Sequence, residues 1–274
     1  MKKLATTLVM AGAMLLSACG GSNNGGDINI KIGVVGSFND HWTLVQEMVE
    51  GINIELVVFS DFLTPNLALD SGDLDMNSFQ NKLFLDNEIA TNGYDIEYIG
   101  ETWIVPLNLF NNTSRISSMA DFTDGHTIAI PSDPTNSSRS LRFLDYAGLI
   151  SLSTADGELA SVLDIIPGAG LDINIMEVES GMLASILPDV EAAVINGGNA
   201  FTAGLIPSED SIFLENIEST SADALINIVV VRSEDVEADG ERMRAFEQIM
   251  SALNSEEMRE FVLTEYGGAF IPVW

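Results

Sequence analysis

Residues 28–35, Ile28-Asn29-Ile30-Lys31-Ile32-Gly33-Val34-Val35, alternate apolar with polar and then turn wholly apolar, the pattern of a strand. A short loop follows. Asn39-Asp40 then offers capping side chains to a helix that carries Trp42, Val45, Met48 and Val49 at three- and four-residue spacing. Ile52 to Phe59 returns to a β-rich, mostly apolar run. A strand, a helix and a strand in about thirty residues make a βαβ unit, and apolar strands of this kind lie in a sheet covered on both faces. The class is therefore α/β. Pro65 opens the next helix, Asn66 to Leu69 continue it, and Ser71-Gly72 end it.

The same grammar resumes near residue 126. His126-Thr127-Ile128-Ala129-Ile130-Pro131 reads as a short strand, followed by a polar loop and a helix from about Thr135 to Tyr146 closed by Gly148. Asp189 to Ile195 and Asn227 to Arg232 read as strands, and Glu241 to Tyr266 as amphipathic helix in two pieces around Asn254-Ser255. Two α/β halves are expected, which suits 274 residues, more than one ~150-residue core.

Composition narrows the partners. With 46% hydrophobic and 19% charged residues the chain is globular, but 11 Lys+Arg against 41 Asp+Glu give a net charge of −30, and nucleic-acid phosphates need clustered cations. No nucleic-acid partner is expected. A single cysteine excludes a disulfide framework and a thiolate zinc site, and two histidines, His41 and His126, are too few for a histidine-based cluster. His41 falls in a helix-capping segment and His126 in a turn after Asp124-Gly125. No metal and no cofactor are expected.

The N-terminus reads as a signal. Lys2 and Lys3 precede an apolar stretch, Leu4 to Leu16, too short to span a ~30 Å hydrocarbon core. It ends in Leu16-Ser17-Ala18-Cys19, which resembles the lipobox of bacterial lipoproteins, where the cysteine is diacylated and becomes the mature N-terminus. Residues 1–18 are then a signal peptide and 19–27 the lipidated Cys19 with a flexible tether, Gly20-Gly21-Ser22-Asn23-Asn24-Gly25-Gly26. No later segment has the ~18 consecutive apolar residues of a transmembrane helix.

Enzyme motifs fail in turn: there is no Gly-x-Ser-x-Gly, no Walker loop and no Gly-x-Gly-x-x-Gly after a strand. Asp73-Leu74-Asp75-Met76-Asn77 lacks the glycine and the final glutamate of a calcium loop and reads as a turn and a strand. The more informative stretch is Ile130-Pro131-Ser132-Asp133-Pro134-Thr135-Asn136-Ser137-Ser138-Arg139. A helix start presents unpaired N–H groups that suit an anion. Arg139, expected in the first turn against the helix dipole, needs a partner. Either an acidic neighbour supplies it or a ligand carboxylate does, bidentately.

At these residues the sequence resembles the NlpA family, the methionine-binding lipoproteins of ABC importers. Four ordered blocks over residues 28–274 carry the resemblance. They are Phe59-Ser60-Asp61-Phe62 with Pro65 to Leu69 and Asp73 to Asn81; Ile130 to Asn136 with Arg139; Ala193-Val194-Ile195-Asn196-Gly197-Gly198; and Gly267 to Trp274. The resemblance implies a two-lobed, periplasmic-binding-protein-like fold of type II with a ligand cleft between the lobes. The crossings would fall near Pro106–Asn108 and Ile228–Val231, with lobe one at 28–107 plus 230–274 and lobe two at 108–229.

It also implies roles. Arg139 would pair the ligand carboxylate. Asn136, Asn196 and Asn227 would surround the ligand's amino and carboxylate ends, and Phe62, Phe79, Asn81 and Phe84 its side chain. Aromatic residues at 62, 79 and 84 make the soft apolar wall that a thioether needs. Family members commonly carry tyrosine where Phe62 and Phe84 stand, histidine where Asn81 stands and tyrosine where Asn199 stands.

The implied protein is no enzyme. It is a monomeric substrate-binding lipoprotein, anchored by its lipid on the extracytoplasmic face of the cell membrane. It would deliver methionine or a related amino acid or short peptide to the ABC permease of its importer. The alternatives are the same role for another apolar amino acid or dipeptide, and a surface adhesin with a vestigial cleft.

Overall fold

The opening βαβ unit forms as its pattern requires. Strands β1 (Ile28–Val35) and β2 (Ile52–Phe59) pair in parallel from Ile28↔Ile52 to Val35↔Phe59, and helix α1 (Asp40–Met48) crosses between them. Ile30, Ile32 and Val34 of β1 are fully buried, together with Trp42 and Val45 of α1. The structure is a computed structural model that describes residues 27–37, 39–217, 222–266 and 269–274. The signal segment, Cys19 and the tether up to residue 26 lie outside the described residues.

Along the chain follow α2 (Thr64–Asp70), β3 (Met76–Asn77), α3 (Lys82–Asn92), β4 (Ile96–Ile104), β5 (Leu107–Asn111), β6 (Thr127–Pro131), α4 (Pro134–Tyr146), β7 (Asn174–Val178) and α5 (Leu183–Ile186). Then come β8 (Ala192–Asn196), α6 (Gly197–Thr202), α7 (Pro207–Asp210), β9 (Ser211–Leu214), β10 (Ile226–Arg232), α8 (Ser233–Ala238), α9 (Glu241–Leu253), α10 (Glu256–Glu265) and β11 (Ile271–Pro272). The expected break in the last helix is present: Ser255 caps α10, its side chain accepting from the Met258 N–H. No helix among the described residues is long and apolar enough to cross a membrane.

Two mixed sheets result, in the orders β11-β4-β10-β3-β1-β2 and β7-β6-β8-β5-β9. Each builds its own core. In the first lobe Phe246 and Ile249 of α9 and Met258 and Val262 of α10 pack on β1 and Trp42. In the second, Leu141 and Leu144 of α4 pack against Leu107, Leu109, Ile128 and Val194. The molecule is a two-lobed α/β protein, as expected.

The lobes join where β4 gives way to β5, at Val105-Pro106, close to the expected first crossing. The second crossing falls earlier than expected. Ile226, Ile228 and Val229 pair with β4 in the first sheet, so β10 belongs wholly to lobe one and the return precedes Ile226 rather than running through Ile228–Val231. The apolar run Asn227 to Arg232 is the strand its pattern predicts, central and buried on both faces, and only the crossing that the resemblance implied there moves. The lobes also touch at the far rim. A Cβ on Gly181 would lie 2.7 Å from the Ser60 carbonyl oxygen, so only glycine allows this approach of the two backbones.

Candidate functional site

Between the lobes lies a cavity of about 100 Å³, and all eight residues singled out in the sequence line it. Phe62 comes from the approach to α2, Phe79 and Asn81 from the β3–α3 turn, Phe84 from the first turn of α3, Asn136 and Arg139 from α4, Asn196 from the end of β8 and Asn227 from β10. His41, Trp103, Asn199 and Phe270 also line it. Of these, His41 departs most from expectation. It is not a surface cap but a buried wall residue whose Nδ1 lies 2.8 Å from the Tyr266 hydroxyl. Burial drives its pKa down to about 3, so the ring is neutral. Its single-letter context, one histidine after an Asn-Asp pair, carries no sign of that burial.

The three phenylalanine rings form a closed triangle. Phe62 stacks on Phe79 with centroids 6.1 Å apart, and Phe84 meets the two edge-on at 6.3 and 5.9 Å. Such geometry is favourable and leaves an apolar wall with no hydroxyl on it. Asn81 does more than line the cavity. It caps α3, its Oδ1 accepting from the Phe84 N–H at 2.9 Å, and its backbone bridges to Asn227.

Behind this wall, buried amides hold the turn. Asn66 donates to Gln80 Oε1 at 2.8 Å and accepts from Asn77 at 2.9 Å and Gln80 at 2.7 Å. The Gln80 carbonyl oxygen accepts from the Ile228 N–H. These groups satisfy one another, which buried amides must do.

The start of α4 corrects the anion-site expectation. Its N-cap is Asp133, whose side chain accepts from the Asn136 N–H at 2.9 Å, so the helix end is already occupied by a carboxylate of the chain itself. Arg139 is the sixth residue of the helix, in the second turn, where the dipole matters little. Its partner is an acidic neighbour: Nε donates to Glu215 Oε1 at 2.9 Å, Nη2 to Glu215 Oε2 and to the Val105 carbonyl oxygen. Both side chains are buried, 8% and 5% exposed. Glu215 Oε2 also accepts from the Leu107 N–H at 2.8 Å. The pair therefore clasps the first crossing. Among the described residues Arg139 Nη1 has no partner, which leaves one edge of the guanidinium for a further anion.

Two polar atoms on the wall are also buried without a partner among the described residues: Asn196 Oδ1, an acceptor, and Asn199 Nδ2, a donor. A site with an unmatched acceptor, an unmatched donor, a partly free guanidinium and an apolar triangle is matched by a small zwitterion with an apolar tail. Close by, Glu88 of α3 is buried, and burial together with the charge of Asp133 across the lobe junction raises its pKa. Among the described residues no group of three or more His, Cys, Asp or Glu could hold a metal ion.

Comparison with known proteins agrees with the architecture. The chain is 33% identical over 279 residues to the D-methionine-binding lipoprotein MetQ of Escherichia coli K12, covering 100% of this chain and 98% of that one. A nutrient binding protein from Burkholderia cenocepacia, solved bound to methionine, superposes with a TM-score of 0.80 at 35% identity, over 89% of this chain and 100% of that one. The substrate binding protein of a methionine transporter from Streptococcus pneumoniae gives 0.83 at 32% identity, over 90% and 96%. The NlpA lipoprotein family profile matches residues 30–274. With that match across nearly the whole described chain, the protein belongs to the NlpA lipoprotein family.

Proposed function

We propose that the protein is the substrate-binding component of an ABC importer, taking up methionine or an apolar amino acid of similar size. The observation that carries this reading is the convergence of the eight residues on one cavity between two lobes, an arginine and four asparagines together with a triangle of phenylalanines. The ligand's carboxylate meets Arg139 Nη1 end-on, because Glu215 occupies the guanidinium's other edge. Asn136, Asn196 and Asn227 surround its polar end, and its side chain enters the Phe62–Phe79–Phe84 triangle. The protein alters no bond. Ligand shifts an equilibrium toward the closed lobes, and the closed form is what the permease receives.

Specificity follows from the wall. An apolar pocket discriminates one methylene from another by only ~1–3 kcal/mol. Leucine and norleucine are expected within about tenfold of methionine, a gap of ~1.4 kcal/mol, in competitive calorimetry. Phe62→Tyr with Phe84→Tyr should narrow the preference. Asn81→His would not be a clean test, since Asn81 caps α3. A preference above a hundredfold for methionine by the unmodified protein would place the determinants elsewhere.

The anchor is tested separately. Cys19→Ala should give a folded, ligand-competent monomer that no longer partitions to membranes, because acyl chains supply ~0.8 kcal/mol per buried CH₂. A variant still membrane-bound after a high-salt wash would exclude lipidation at Cys19.

A further inference from the structure

Arg139 and Glu215 neutralise each other, so recognition of a ligand's ammonium group falls to the uncharged amides of the cavity. The direction of one of them is set from a distance. Asp133 Oδ1 accepts from the Asn136 backbone N–H at 2.9 Å, from Asn136 Nδ2 at 3.0 Å and from the Thr135 hydroxyl at 3.1 Å. Its Oδ2 accepts from Asn136 Nδ2 at 3.1 Å and from the Ser180 hydroxyl at 3.4 Å.

A carboxylate has no proton to give, so the end of the Asn136 amide that faces it is the NH₂. The Asn136 oxygen is thereby turned toward Asn196 and accepts from its Nδ2 at 2.9 Å. That commits the donor end of Asn196. What remains is Asn196 Oδ1, buried on the cavity wall with no partner among the described residues. A buried acceptor in that state is unfavourable until a donor arrives.

We propose that Asp133 is a positioning residue for ligand selection: through Asn136 it holds the Asn196 oxygen toward the cavity, where it accepts a hydrogen bond from the ligand's α-ammonium group. The inference rests on the amino-acid reading of the cavity and adds the device that makes the site require an amine. Asp133 itself is 7% exposed and does not line the cavity, so its effect is transmitted and not by contact.

The test is calorimetry at pH 7 with two probes, methionine and its desamino analogue 4-(methylthio)butanoate. The wild type is expected to prefer methionine by at least about a hundredfold, since a site built around a hydrogen bond rejects a ligand that cannot make it. Asp133→Asn keeps the helix cap, for which asparagine is as good as aspartate. Of the two oxygens that accept from Asn136 Nδ2 it replaces Oδ2 with an NH₂, setting a donor against a donor at 3.1 Å; Asn136 relieves this by turning its oxygen inward, and Asn196 then turns its NH₂ to the cavity. The preference should fall below tenfold, with cooperative unfolding retained.

The double variant Asp133→Asn/Asn196→Asp puts an acceptor-only group back on the wall and should recover a preference within about tenfold of the wild type. Asn136→Leu leaves Asp133 on its backbone N–H and cuts the relay in the middle. It should lower the preference in the same way, and it keeps the question open to refutation even if Asp133→Asn fails to fold. An unchanged preference in Asp133→Asn or in Asn136→Leu, or no recovery in a folded double variant, overturns the relay. If the wild type binds no methionine at all, the amino-acid reading falls, and the relay with it.

Discussion

Arg139→Ala is expected to lower the unfolding free energy of the ligand-free protein by about 3–5 kcal/mol and to abolish ligand binding. The first effect comes from Glu215. With its guanidinium removed, a carboxylate 5% exposed keeps, among the described residues, only the Leu107 N–H, and an uncompensated buried charge is the expensive state. The loss corresponds to roughly 2–4 °C in melting temperature per kcal/mol for a chain of this size. The double variant Arg139→Met/Glu215→Leu separates the roles. Replacing a buried ion pair by apolar residues of similar volume is often neutral or stabilising. Its stability should therefore return to within about 1–2 kcal/mol of the wild type, while binding stays lost because no cation faces the ligand carboxylate. Denaturant unfolding and calorimetry read the two quantities independently. Binding retained by the double variant would show that the ligand's carboxylate is held elsewhere.

Between pH 6.5 and 4.5 the wild-type protein should lose about 2 kcal/mol of stability that His41→Asn does not lose. In the folded protein burial holds His41 neutral, with a pKa of about 3, whereas in the unfolded chain it titrates near 6.5. Below pH 6.5 the unfolded state takes up a proton that the folded state refuses, and the loss of stability steepens to about 1.4 kcal/mol per pH unit by about pH 5.5, continuing down to the folded value. Asparagine at this position keeps an oxygen able to face the Tyr266 hydroxyl, 2.8 Å from Nδ1 in the wild type. The substitution lowers stability at pH 7, since it leaves space beside Trp103, but the acid slope is the diagnostic. Equal slopes for the two proteins would mean that the ring reaches water in the native state.

The elements legible in the sequence are those whose local pattern and packing agree. β1, α1 and β2 alternate or repeat as their burial requires, and the α9–α10 break sits at a serine that caps the second helix. Strand β4 escaped. Glu97, Tyr98, Gly100 and Glu101 give it no clean period, and it is recruited by its neighbours β10 and β11. Strand β10 was legible from its own apolar run; that it pairs with β4 inside lobe one, where the resemblance placed a crossing, is a matter of its neighbours.

The site divides in the same way. Six of the eight expected side chains that converge lie in the four ordered blocks, and Phe84 and Asn227 came with the same family resemblance, whereas His41 and Trp103 joined the wall without any local signal. What each of them is free to do was not readable. Arg139 is bound to a glutamate 76 residues away, Asn136 to an aspartate beside it and an asparagine 60 residues on, and His41 to a tyrosine 225 residues away. A sequence states the donors and acceptors a residue owns. Only the closed fold, by removing water and bringing distant partners within 3 Å, decides which of them are already used and which are left for a ligand.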